Sequence, residues 1–451
     1  MITIKDPLYG YVVFEDKFSK IIDSKVFQRL RRIKQVFGSD FVYPSANHTR
    51  FEHSLGVGFL AGRMADRIQE ISKEKDCEFT SEDKDSLILA GLLHDIGHGP
   101  FSHAFEGFLS RLKMNHEDFT RRIILEILAS KIEELGLDPE FIAELSAGTA
   151  LKKAKERPFM KQVIGSTIDA DKLDYLRRDS YHAGTLYGFI DVDRIVNNLN
   201  IYDNQLCVEE KAKQVLESMI LGRVLAFEAI YYHKTSRAAQ ILIDRAVNAA
   251  AEELNLFEIK DDIEKYLELD DYIMWSMLKN NRCSREYMEM LESRNLLKVV
   301  WEVKGTVDEK TKKVVNLLMT PKFRENLENL IAEEAGIEAK YIAIDLPSLP
   351  NIPYRHWVES EPMKIPILIR EYDKESLISL DEISRFVKSV EGFFYAIRVY
   401  TVEKYREIVR KATLKTFNEY TPIRTEVMFL SLIHISEPTR PRLISYAVFC
   451  L

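Results

Sequence analysis

The chain is poor in cysteine, glycine and proline, carries no excess of positive charge and has no long apolar run. Its four cysteines (Cys77, Cys207, Cys283 and Cys450) are far apart and form no C-x-x-C pair. That argues against a cysteine-rich zinc site or a dithiol redox pair and fits free thiols in a reducing compartment. Glycine (18) and proline (14) are too sparse among 451 residues for low-complexity or collagen-like sequence. No apolar stretch reaches the roughly 18 residues that span a bilayer. Met1-Ile-Thr-Ile-Lys-Asp-Pro lacks the basic-then-apolar pattern of a secretion signal, so a cytoplasmic location is expected. Lys plus Arg number 63 against 71 Asp plus Glu, a formal charge of −8, which gives no global basic surface for nucleic acid or an anionic membrane. What remains is ordinary for a soluble protein, with 46% apolar and 30% charged residues.

Apolar spacing predicts helices over Ile21–Val36, Phe51–Ile71, His116–Leu135 (stopped by Gly136) and a long amphipathic Lys211–Leu254. Thr80 and Asp83 form a capping box ahead of Leu87–Leu93. Asp203-Asn204 marks the turn of a hairpin over Asn198–Glu209. Beyond residue 300 the texture changes to short strand-like runs: Lys298–Val303, Lys340–Asp345, Lys364–Arg370 and Phe393–Tyr400, the last leading into a helix over Val402–Phe417. A proline-rich Leu346–Pro353 separates two of these runs. The expected class is mainly α, a helical core followed by a smaller α+β region. Residues 428–451 do not fit: Ser431-Leu-Ile-His-Ile-Ser-Glu-Pro-Thr-Arg-Pro441 resembles a translated sequencing adapter and is read as non-native. The acidic stretch around Asp261–Asp271 is expected to be solvated surface.

The ten histidines are not scattered. Six of them, His48, His53, His94, His98, His103 and His116, lie within 69 residues, and histidine is both the commonest metal ligand and a proton carrier near neutral pH. His94-Asp95 ends an apolar helix in Ala90-Gly-Leu-Leu-His-Asp-Ile-Gly-His-Gly-Pro-Phe-Ser-His103. Neighbouring helical residues diverge by about 100°, yet two of them can meet one ion where the helix ends, as Gly97, Gly99 and Pro100 indicate. His53 and Asp171 are candidates to complete the set. Two histidines and two aspartates make a mixed N/O site with open positions, suited to a divalent ion such as Mn²⁺, Mg²⁺, Fe²⁺, Ni²⁺ or Zn²⁺.

The order His53, His94-Asp95, Asp171 resembles the HD phosphohydrolase signature. Longer strings sharpen the resemblance: Phe27-Gln-Arg-Leu-Arg-Arg-Ile-Lys-Gln35, His48-Thr-Arg-Phe-Glu-His-Ser-Leu-Gly56, Gly91–His103 and Asp171-Lys-Leu-Asp-Tyr-Leu-Arg-Arg-Asp179. Together they are similar to the deoxynucleoside triphosphate triphosphohydrolases, bacterial and animal, over roughly residues 1–250. That span is read as the HD domain, with 251–300 a helical extension and 301–427 the α+β region. The resemblance implies hydrolysis of a dNTP to deoxynucleoside and inorganic triphosphate, with His53, His94, Asp95 and Asp171 on the metal. It implies that His98, His103 and His116 line the reaction centre and that Glu106 orients a histidine, although the family often has Asp at that position. Arg50, Lys172, Tyr175 and Arg223 match phosphate-contacting positions, Gln35 and Asp179 those that hold the sugar 3′-hydroxyl, and Tyr231 an aromatic near the sugar. Asp23, Arg29 and Arg31 match positions that bind an activating nucleotide such as dGTP between subunits, so a homo-oligomer, dimer or tetramer, is expected. Other readings weighed were an HD hydrolase for a monophosphate, cyclic nucleotide or guanosine tetraphosphate, and a nucleotide-binding sensor. His48, His182 and His233 are expected to be structural, and Asp169 and Asp174 to cap a helix or support a ligand.

Overall fold

The computed structural model describes residues 1–74, 78–148, 153–306, 315–346, 364–371, 374–389 and 394–420. The suspected adapter tail and most of the proline-rich stretch lie outside them. The described chain is mainly helical and divides into two compact units.

The first unit, residues 1–298 with the segment 364–389, is organised around the helix Arg50–Glu74. Val57, Leu60, Ala61, Met64 and Ile68 on that helix are fully buried. They pack with Leu87 and Ala90 of Ser81–Leu93 and with Leu173 and Leu176 of Ala170–Ala183. Burying each large side chain contributes about 1.5–3 kcal/mol, so this three-helix contact is the main anchor of the site described below. The Thr80–Asp83 capping box is formed as expected. So is the hairpin, Leu199–Tyr202 with Gln205–Glu209, whose turn residues Asp203 and Asn204 have φ of 48° and 58°. Both central residues at positive φ make a turn whose twist matches the strands.

That hairpin is not isolated. Val208 pairs in parallel with Ile367 of Pro366–Glu371, which pairs antiparallel with Lys374–Ser379, giving a four-stranded sheet. Ile365, Ile367, Leu380 and Val387 join the first unit's core. The strand-like run read from 364 therefore belongs with the first unit, because its apolar residues join that unit's core. The second unit holds a three-stranded sheet with Phe394–Thr401 between Lys298–Thr306 and Ile342–Asp345, and the helices Pro321–Ala335 and Arg406–Tyr420. Trp301 and Phe417 pack ring to ring at 4.3 Å inside it. No helix among the described residues is long and apolar enough to cross a membrane.

Three predicted helices are interrupted. Ile21–Val36 breaks into Ser19–Ile22, Lys25–Arg29 and a 3₁₀ turn Leu30–Arg32. Ser24 starts the second piece by accepting from the Phe27 amide. After Arg32 the backbone is drawn away into pairing with the 48–50 segment: the Gln35 amide donates to His48 O at 3.0 Å and the Arg50 amide to Ile33 O at 2.9 Å. Lys211–Leu254 is divided by a π turn at Phe227–Tyr231, and the next helix starts at Lys234 with His233 as its cap. His116–Leu135 holds a π turn at Ile123–Ile127. Such turns insert one extra residue and re-aim a side chain, often beside functional sites.

Candidate metal centre and nucleotide site

Three helix ends converge. His53 lies in the first turn of Arg50–Glu74, Asp171 in the first turn of Ala170–Ala183, and His94 with Asp95 just past Ser81–Leu93. His53 Nε2 is 3.2 Å from His94 Nε2 and 3.0 Å from Asp171 Oδ1. Asp95 Oδ2 lies 3.7 Å from His53 Nε2, and Asp95 Oδ1 3.4 Å from His94 Nε2. Donor atoms about 2.1 Å from one ion, subtending 90–110°, stand roughly 3.0–3.4 Å apart. His53, His94 and Asp95 could hold one ion between them, with Asp171 against His53 at the edge of that group.

Proton positions make the same point. His94 Nδ1 is 2.8 Å from the Gly91 carbonyl, which can only accept, so that nitrogen carries the hydrogen. His53 Nδ1 likewise faces Asp174 Oδ2 at 2.8 Å. With a hydrogen on each Nδ1, the two Nε2 atoms face one another beside two carboxylates, a place that favours a positive charge, whether a proton or a metal ion. Burial pushes His53's pKa down, but the hydrogen bonds to Asp171 and Asp174 and the charges of Asp174 and Asp95 outweigh it and hold it up at about 10. The donor set suits the divalent ions named above and does not choose among them. Asp174 is itself fixed: Arg178 donates from Nε at 2.7 Å and NH2 at 2.9 Å, and Tyr9 OH donates at 2.8 Å. Such outer support orients the ligating ring.

A second cluster adjoins the first. His98 Nε2 is 3.3 Å from Asp95 Oδ1, and its ring stacks on His116 at 3.9 Å between centroids. His116 Nδ1 is 2.7 Å from Glu106 Oε1. Burial alone would depress His116 and raise Glu106; the pairing reverses both, so the dyad keeps a proton on His116 and a charge on Glu106. His103 stands edge-on to His98, with 5.4 Å between centroids, and opens to solvent. Arg50 is 2% exposed; it pairs with Asp95 and donates to Ser102 Oγ at 2.8 Å, while its NH2 has no hydrogen-bond partner among the described residues.

Further along the Ala170–Ala183 helix, Asp179 accepts from Tyr231 OH and sits 2.7 Å from His48 Nε2. Tyr175 lies edge-on to Tyr231 at 6.2 Å. The buried Gln35 leaves its Oε1 without a hydrogen-bond partner among the described residues. Lys172 Nζ is engaged by Asp169 at 2.7 Å, and Asp169 also caps the helix through the Lys172 amide. Arg223 acts electrostatically on Lys172. The residues expected at phosphate and sugar thus gather within one unit.

Residues 50–175 match the HD domain, and residues 190–422, just over half of the chain, match the HD associated region. The chain belongs to the HD-domain family. It is 37% identical over 305 residues to the uncharacterized protein MJ1154 of Methanocaldococcus jannaschii, with 66% of this chain and 59% of that protein covered. It is 33% identical over 322 residues to the deoxynucleoside triphosphate triphosphohydrolase SAMHD1 homolog of Dictyostelium discoideum, with 68% and 61% covered. The chain thus spans about three fifths of the length of these two relatives. A crystal structure of a hypothetical protein from Aquifex aeolicus superposes with a TM-score of 0.71 at 28% identity, covering 91% of this chain and 99% of that one.

Two charged groups of the HD-domain structure are more buried than their sequence context suggests. Arg29 is buried, 1% exposed, with Nε donating to Leu269 O at 2.8 Å and NH1 to His98 O at 2.9 Å. Two of its three nitrogens are thus engaged by backbone carbonyls, and its NH2 is buried without a hydrogen-bond partner among the described residues. Asp23 and Arg31 are exposed, Arg31 lying 3.5 Å over the Phe51 ring. The acidic stretch is not all solvated: Asp270 and Asp271 are 1% and 8% exposed. The sequence reading also missed Tyr9, Ser102, Thr120 and Tyr266. Thr120 Oγ1 accepts from the Gly97 amide at 3.1 Å and Tyr266 OH donates to Gly97 O. Their partners lie 23 to 169 positions away, so no local pattern points to them.

Proposed function

We propose that this HD-domain protein hydrolyses deoxynucleoside triphosphates to deoxynucleoside and inorganic triphosphate. The observation that carries this reading is the gathering of His53, His94 and Asp95, with Asp171 against His53, next to the His116–Glu106 dyad. The relatives named as dNTP triphosphohydrolases support the choice of substrate. His53, His94, Asp95 and Asp171 would hold a divalent ion. When bound, such an ion polarises a phosphoryl oxygen and lowers the pKa of water.

The chain's own residues do the rest. Arg50 directs its free NH2 toward phosphate, a charge-assisted contact that offsets the cost of burying an anion. Lys172 and Arg223 add positive charge beside it. Asp179, held by His48 and Tyr231, accepts from the sugar 3′-hydroxyl, and Gln35 offers its Oε1 there. His116, kept protonated by Glu106, delivers its proton to the departing 5′-oxygen. Asp23, Arg29 and Arg31 remain candidates for an activating nucleotide at a subunit surface, and Arg29 also supports the His98 turn.

The test is to incubate the protein with Mn²⁺ and each dNTP, alone and with dGTP added, and resolve products by anion exchange. Equal amounts of deoxynucleoside and triphosphate support the reading, and dependence on dGTP supports an activator. Orthophosphate or pyrophosphate as product, or no turnover in any mixture, overturns it.

A further inference from the structure

The buried pair Asp270–Asp271 has no part in the chemistry above, yet each carboxylate has a distinct job. Asp270 starts the helix Asp271–Asn280, its Oδ1 accepting from the amides of Tyr272 and Ile273, both at 3.0 Å, and its Oδ2 pairs with Arg32. The helix therefore needs nothing from Asp271. That side chain turns inward, Oδ1 accepting from the Phe101 amide at 2.7 Å and Oδ2 from the Lys34 amide at 2.9 Å.

Both amides belong to segments that carry site residues. Phe101 and Ser102 sit at φ of 59° and 52°, a left-handed conformation that non-glycine residues hold only when their surroundings impose it. Ser102 Oγ accepts from Arg50 Nε at 2.8 Å and donates to Lys34 O at 2.6 Å. Lys34 immediately precedes Gln35. Asp271 thus ties the strained turn after the HD motif to the strand-like stretch before Gln35, and Arg50 is held at the junction. Tyr266 OH on Gly97 O, and Arg29 spanning Leu269 O and His98 O, brace the same turn from the same side.

The geometry points to Asp271 as a positioning residue that, by accepting from Phe101 and Lys34 at once, sets where Arg50 and Gln35 meet the substrate. This rests on the reading of Arg50 and Gln35 as nucleotide contacts. It needs a carboxylate, since an asparagine offers one acceptor oxygen and turns an NH₂ toward the other amide.

The test is Asp271→Asn in the full chain, followed by amide hydrogen exchange, Mn²⁺ titration and dNTP kinetics. An unpaired buried amide opens about tenfold or more readily, so exchange should rise by that factor in peptides covering 33–36 and 97–103. Amides of the Arg50–Glu74 helix should be unchanged, Mn²⁺ affinity should stay within about threefold of native, and KM should rise more than kcat falls. Native exchange in both peptides, or a uniform rise across the chain, would overturn the proposal. Should Asp271→Asn be insoluble, exchange in the native protein decides it: the two peptides open together if Asp271 joins them, and independently if it does not. A native chain that hydrolyses no dNTP removes the proposed function, while the exchange result still decides the tie.

Discussion

Gly56 lies three residues after His53, and a Cβ built there falls 2.0 Å from Asp174 Oδ1 and 2.5 Å from Arg178 NH2. Neither neighbour can yield freely. Asp174 is held by His53, Tyr9 and two Arg178 nitrogens at 2.7 to 2.9 Å, and Asp174 and Arg178 are fully buried. Gly56→Ala must push the carboxylate by about an ångström or more to restore van der Waals contact. Each hydrogen bond to a charged group contributes about 1.5–3 kcal/mol, so losing two costs about 3–6 kcal/mol. Replacing a helical glycine by alanine returns only about 1 kcal/mol. The net loss is a large share of the 5–15 kcal/mol typical of a folded domain, and the displaced support of His53 should weaken ion binding by about 10–100-fold. The assay is calorimetric Mn²⁺ titration beside a thermal melt, with Gly62→Ala as control. Gly62 is on the same helix, but its added Cβ meets only the Ile88 side chain at 3.2 and 3.4 Å, which can rotate. Gly62→Ala should melt and bind like the native protein. If Gly56→Ala did so too, the account of Asp174 as the fixed support of the metal centre would be refuted.

Glu106→Gln should lower kcat by about tenfold or more with little change in KM, as expected for weakened general acid catalysis. Because Glu106 holds the His116 proton, its loss should also move the alkaline limb of the rate profile to lower pH, and an unmoved limb would count against the dyad. Tyr231→Phe removes one donor to Asp179 and should raise KM for dNTPs by about fivefold, close to 1 kcal/mol, with less effect on a 3′-deoxy analogue in steady-state assays. Lys161 supplies a test of stability against pH. Burial lowers its pKa to about 8, against the attraction of Glu117, Asp169 and Glu144, and Nζ donates to Leu145 O at 2.7 Å. The folded state therefore binds fewer protons than the unfolded chain between about pH 8 and the ordinary lysine value near 10.4, so this residue's contribution to stability rises with pH there. Denaturant melts across that range should show a shallower rise in Lys161→Met than in the native protein.

Much of the site is written in local sequence. The capping box at Thr80, the helix end at His94-Asp95, the turn at Asp203-Asn204 and the His53 and Asp171 positions all depend on chemistry within a few residues. The cap, the helix end and the turn can be read from spacing; His53, His94 and Asp95 lie within reach of one ion, with Asp171 3.0 Å from His53. The calculation from periodicity fails where distant groups outbid helix propensity. Ile21–Val36 reads as one amphipathic helix, but the amides of Gln35 and Arg50 find partners across the 33–50 pairing, and those bonds end the helix after Arg32.

Charge is the property sequence misplaces most. Arg29 and Arg31 are the same residue type in one basic run, yet one is sealed under the His98 turn and the other lies on a ring at the surface. Asp270 and Asp271 belong by composition to a solvated acidic run, yet both are buried because an N-cap, an arginine and two amides compensate their desolvation. Residue type and spacing thus decide which groups can bind an ion, carry a proton or start a helix. Which of them are withdrawn from water, and so serve the site rather than the surface, depends on partners far along the chain that only the folded arrangement supplies.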